Sequence, residues 1–216
     1  MKVVAALHAA FIASQIPDQQ RPIADVISRI EKLNEGLRAF WSASQGWAPV
    51  AAADLMSKSR LDRQVSLSRS LRHWIVDPAD NLEDGDLILG WANLGSLIEG
   101  TIKLFLAVYY ADYQKDLPTL QQTQAWHKKD GKLLDPDGLR LEVLISYVEK
   151  AALFEPAEVA LFKQVQSYRN AIHAFKDRPL GSGSELHAAI KDYLTMLRST
   201  VSRLPYPEDI YTPQEV

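Results

Sequence analysis

The chain has no cysteine among its 216 residues. Disulfides, thiolate catalysis and cysteine-ligated zinc are thereby excluded, and the absence fits the cytosol. A dominant sign of charge is missing too: 24 Lys and Arg stand against 27 Asp and Glu, a formal net charge of -3. No strong overall field draws RNA, DNA or an anionic membrane, although local basic patches stay open. A glycine-rich phosphate loop and a Gly-x-Ser-x-Gly elbow are absent, and Gly181-Ser182-Gly183-Ser184 reads as a turn. His8, His73, His127 and His187 show no metal-ligand spacing with one another, so neither a metal site nor a cofactor is expected. Strand-like alternation is lacking as well.

What the chain does have is apolar residues at helical spacing. Hydrophobic residues make up 47% of it, enough for the core of one domain. Met1–Ser14 carries one lysine and a short apolar run interrupted by His8. That run resembles a minimal signal peptide less than a first amphipathic helix with Val4, Leu7 and Phe11 on one face. Pro22 is placed to open a helix in which Ile23, Val26, Ile30, Leu33, Leu37 and Phe40 recur at spacings of three and four, a stripe that stops near Gly46. Ala51 to Ile75 reads as one or two helices, with Lys58, Arg69 and Arg72 on one side and Arg60 and Arg63 opposite, a solvated surface rather than a nucleic-acid stripe.

The longest apolar segment, Leu87 to Tyr110, follows the acids Asp84 and Asp86, which suit a helix start. It is long enough to span a bilayer, but Glu99 and Lys103 would be costly in lipid. Their spacing allows an internal ion pair, and Gly90, Gly95, Ser96 and Gly100 allow close approach of neighbouring helices. The segment therefore reads as a long helix buried at the centre of a bundle. Gln114 to Asp137 reads as a polar excursion, Asp135-Pro136 as the start of another helix, and Ser182 with Glu185 as a capping box opening the last one. The proline-rich tail after Leu204 cannot continue that helix.

One polar constellation stands out within the apparent helix Gln164–Phe175, whose apolar stripe is Leu161, Val165, Tyr168, Ile172 and Phe175. Arg169 and His173 are one helical turn apart on the shoulder of that stripe, with Asn170 further out. An always-charged guanidinium beside an imidazole that titrates near neutrality can hold a phosphate and move a proton, which is the chemistry of phosphodiester cleavage through a ribose 2′-hydroxyl. Asn170 is placed to bond the phosphate or orient the ring, and no metal is needed. The same three residues also suit a purely structural helix end near the negative pole of the dipole.

The string Arg169-Asn170-Ala171-Ile172-His173-Ala174-Phe175 resembles the signature of the HEPN superfamily, and Trp91–Gly100 resembles the acid-bearing central helix of such bundles. The likeness spans roughly Asp84 to Leu204, with only three residues between Arg169 and His173 where the family usually has more. It implies an all-α bundle. Many members are metal-independent ribonucleases whose two motif copies meet across a dimer interface, often in toxin–antitoxin or phage-defence systems; others bind without catalysis. It further implies Arg169 as phosphate stabiliser, His173 as base or acid, Asn170 as positioner and Glu99 as supporter.

The expectation is a bundle of about five to seven helices. Residues 1–204 would form one domain, with N-terminal helices over 1–80 and the HEPN-like core over 84–204, followed by an extended tail over 205–216. The expected partners are a second copy of the chain, RNA, and a cognate antitoxin or nucleotidyltransferase, with no membrane. The alternative is a non-catalytic helical interaction or dimerisation module.

Overall fold

Nine α-helices and one two-stranded hairpin make up the computed structural model, which describes residues 17–173, 175 and 177–215. The helix expected over Met1–Ser14 lies outside these residues. The all-α expectation holds. Seven helices run nine residues or longer, and the count exceeds the expectation through two six-residue helices inside the polar excursion. No helix among the described residues is long and apolar enough to cross a membrane.

Helix α1 (Ile23–Trp41) follows Pro22, whose ring fixes the entering backbone at a φ of -54°. Its buried face runs Val26, Ile27, Ile30, Leu33, Leu37 and Trp41, the three-and-four spacing that one side of a helix requires. The stretch from Ala51 to Ile75 divides in two. Helix α2 (Val50–Lys58) and helix α3 (Leu61–Ser70) are separated at Ser59 and Arg60, and α3 ends in a 3-10 turn over Leu71–Trp74. Arg69 and Arg72 reach across to Glu35 and Glu31 of α1, each at 2.6 Å.

Helix α4 (Asp84–Val108) packs against α2 and α3 and against three later helices, α7 (Leu141–Lys150), α8 (Pro156–Arg169) and α9 (Gly183–Arg203). Its glycines take up side chains of this same chain. A Cβ at Gly90 would lie 2.6 Å from Leu186, and one at Gly100 would lie 2.2 Å from the Gln64 amide. Between α4 and α7 come helix α5 (Tyr110–Lys115), helix α6 (Leu117–Gln122) and the hairpin that pairs Trp126 with Leu133 and His127 with Lys132. The helix expected to start at Asp135-Pro136 begins later. Pro136–Gly138 is an isolated 3-10 turn, Leu139 is extended, and α7 starts at Leu141. Lys103 on α4 donates to the Asp137 carbonyl at 3.0 Å, so this turn spends its backbone oxygen on α4 instead of on a longer helix.

Helix α9 opens with the anticipated capping box: Glu185 N–H donates to the Ser182 hydroxyl at 3.2 Å, and the Glu185 carboxylate accepts from Ser182 N–H at 2.8 Å. The tail after it lies against the body. Pro213 covers Gly36 of α1, and Tyr206 and Tyr211 sit beside Phe40 at ring separations of 5.1 and 5.5 Å. Arg198 of α9 then clasps both ends of the described chain. Its guanidinium donates to Asp18 at 3.0 Å and to Glu215 at 2.9 Å, while Arg21 holds Asp18 and Arg29 holds Glu215, each at 3.1 Å.

Burial alone would push the Asp18 and Glu215 carboxyls up. Arg198, joined by Arg21 at Asp18 and by Arg29 at Glu215, outweighs it and holds both below the ordinary carboxylate range. A carboxylate depressed in the folded state contributes stability above its unfolded value, about 4, and loses it as pH falls through the folded value. The urea midpoint should therefore hold from neutrality to about pH 5 and drop below it. Glu215→Gln should lower the midpoint at neutral pH and make the acid drop shallower. Identical acid profiles for the two proteins would contradict the clasp.

Candidate functional site

The expected site lies where α8 ends against α4. Helix α8 starts firmly, with Pro156 in its first turn and a capping box between Glu155 and Glu158. Val159, Leu161, Phe162 and Val165 are buried, which confirms the first half of the anticipated stripe. The second half departs from it. The α-helix stops at Arg169, and Asn170–Ile172 form one 3-10 turn. His173 leaves that turn with φ -87° and ψ 87°. Ile172 is 51% exposed and Phe175 fully exposed, so neither belongs to the core. Asn170 sits at the cap, where a side chain that competes for backbone hydrogen bonds is a poor helix propagator.

This exit changes the relation between Arg169 and His173. Four steps at 3.6 residues per turn return a side chain to within roughly 40° of its start, whereas four steps at 3.0 per turn leave it roughly 120° away. The stacked pair expected from a continuous helix is thus opened out. The His173 ring is exposed and has no hydrogen-bond partner among the described residues. Asn170 is half-buried, and its carbonyl accepts the His173 N–H at 3.3 Å.

Arg169 is tightly placed. Trp91, Gly95, Glu99 and Lys103 form a row along α4, each one helical turn from the next. The last turn of α8 lies along that row. Tyr168 packs on Trp91 with ring centres 4.8 Å apart, and its hydroxyl donates to Glu185 of α9 at 3.2 Å. The Arg169 stem crosses Gly95, where a Cβ would sit 2.8 Å from Arg169 Cδ. Beyond it, Arg169 Nη1 donates to Glu99 Oε2 at 3.1 Å. Glu99 Oε1 accepts from Lys103 Nζ at 2.9 Å. One carboxylate is therefore shared by two cations, and the trio keeps a net positive charge. The remaining Arg169 N–H donors have no partner among the described residues.

The structure thus joins Arg169 to Glu99 and leaves His173 and Asn170 on the turn just beyond. Sequence reasoning assigned Tyr168 to the core, whereas it half-emerges to brace the motif between Trp91 and Glu185. The Lys103 link was legible in its spacing from Glu99. Among the described residues, no cluster of three or more His, Cys, Asp or Glu is arranged to hold a metal ion. His127 pairs with Asp130 at 3.0 Å, and His187 bonds the Trp74 carbonyl at 2.8 Å.

The shared ion pair is partly exposed, so it contributes less than about 1 kcal/mol. Glu99→Gln should shift the melting temperature by no more than about 4 °C. Gly95→Val forces the Arg169 stem off α4 and should cost about 1–3 kcal/mol. Thermal melts of the two variants check the ranking, and a larger loss for Glu99→Gln would reverse this assignment of roles. No family model, curated protein or solved structure matches the chain.

Proposed function

We propose that this chain is a HEPN-like helical protein, with α4 as the central helix of its bundle, that cleaves single-stranded RNA without a metal. The observation that carries the reading is the shared carboxylate. Glu99 fixes the guanidinium through one N–H, Lys103 offsets the charge of Glu99, and the rest of the Arg169 fork is left to take a phosphate. Arg169 then stabilises the charge that builds on the non-bridging oxygens. His173 takes the proton from the ribose 2′-hydroxyl as that oxygen attacks phosphorus. The bond to the 5′-oxygen breaks, leaving a 2′,3′-cyclic phosphate, and the departing 5′-oxygen takes up a proton to become a hydroxyl. In a dimer, the His173 of a second copy supplies it, and Asn170 positions the strand. The setting is a cytoplasmic bacterial defence or toxin–antitoxin system, with an antitoxin or nucleotidyltransferase as the further partner.

A second reading is favoured by the same exit turn. Exposed Ile172 and Phe175 flank His173, and adjacent apolar side chains at a surface turn suit a seam between copies. In that reading the motif builds a non-catalytic dimerisation module.

His173→Ala should reduce RNA cleavage by about 100-fold or more, with the melting temperature held within a few degrees because the ring is exposed. Retained cleavage in a folded His173→Ala protein would remove the catalytic reading. Sedimentation of Phe175→Ser tests the second reading: a dimer that becomes monomeric while the wild type shows no cleavage would establish the module instead.

A further inference from the structure

A second candidate site lies beside the first along α4, at the junction of α2 and α3, and Lys103 borders both. A cavity of about 190 Å³ opens there. Met56, Leu61 and Leu104 are buried and give it an apolar floor. Its rim carries Lys58, Arg60 and Lys103 against one acid, Asp137. The acids that pair with Arg60 and Lys103 are Asp62 and Glu99, and neither lines the cavity. Lys58 has no partner among the described residues.

We propose that this cavity binds a small carboxylate with an apolar body, a claim that stands whether or not Arg169 meets RNA. The apolar floor is a poor host for water and a good one for hydrocarbon. The cavity is smaller than the roughly 300–1,000 Å³ of drug-sized pockets, so its occupant is a fragment-sized molecule. Arg60 and Lys103 are already paired, so Lys58, which has no partner among the described residues, is the rim cation left to meet a negative group at the mouth. Asp137 on the rim disfavours a dianion, which selects a carboxylate over a phosphate monoester.

The wall is preorganised. The Gln64 amide donates to the Leu97 carbonyl at 2.6 Å, fits only because residue 100 is glycine, and lies 3.4 Å from the Thr101 hydroxyl. Thr101 in turn meets the fully buried Tyr193 at 3.0 Å. A wall held in this way does not need to be ordered by the ligand, and that saving favours binding of a small molecule.

The test is titration of the full chain with hexanoate, hexanol and hexyl phosphate, followed by calorimetry or amide chemical shifts. Hexanoate is expected to bind at millimolar concentration and about tenfold more tightly than hexanol, the difference one charge-assisted hydrogen bond makes. Lys58→Gln should weaken hexanoate and leave hexanol unchanged. Ala107→Leu narrows the cavity and should abolish both in a protein that still melts cooperatively; if that variant fails to fold, the hexanoate-to-hexanol ratio in the wild type and in Lys58→Gln decides. Equal binding of acid and alcohol, tighter binding of hexyl phosphate, or no response to hexanoate at millimolar concentration would each overturn the proposal.

Discussion

Glu99 accepts from Arg169 on one oxygen and from Lys103 on the other, and the geometry of the candidate site follows from that sharing. The contact forms because Gly95 leaves room for the Arg169 stem to lie against α4. A side chain at residue 95 would displace the stem, and the guanidinium would then sample solvent with its full rotamer freedom. Partly exposed ion pairs add little to stability. The trio therefore fixes direction rather than free energy: one N–H of the guanidinium is tied to Glu99 while the side chain stays partly exposed.

Stability comes from elsewhere. Helix α4 buries Trp91, Leu94, Leu97, Ile98 and Ile102 against its neighbours, and α9 buries Leu186, Ile190, Tyr193, Leu194 and Leu197 on the same core. Each such side chain contributes about 1.5–3 kcal/mol on burial. Around this core the Arg198 clasp holds segments that the helices do not reach. It binds Asp18 before α1 and Glu215 of the tail, so the two ends of the described residues meet next to α1 and α9. The site at the end of α8 stands apart from that clasp and is braced by Trp91, Tyr168 and Glu185.

Local pattern made a good deal of this legible. The row of apolar residues in α1, the acids in the first turn of α4, the four-residue spacing of Glu99 and Lys103, and the capping box at Ser182 each encode their structure within a few residues. The failures share a cause. Ile172 and Phe175 continue the periodicity of α8, but among the described residues no neighbour covers them, and an apolar stripe without a partner surface does not extend a helix. Asp135-Pro136 has the look of a helix start, yet the turn it opens is claimed by Lys103 from α4. The clasp joins residues 180 apart, a separation no periodicity carries. Of the candidate site, the Glu99–Lys103 pair is legible in its four-residue spacing, whereas the Arg169–Glu99 link joins residues 70 apart and the opened angle between Arg169 and His173 depends on the 3-10 exit.

The central claim is that Glu99 holds Arg169 so that its free edge meets a phosphate. Its most direct test is the salt dependence of single-stranded RNA binding by the wild type and by Arg169→Gln. Loss of one phosphate contact should weaken binding and reduce the slope of log K against log salt by about 0.7. An unchanged affinity and slope in a folded Arg169→Gln protein would contradict the account.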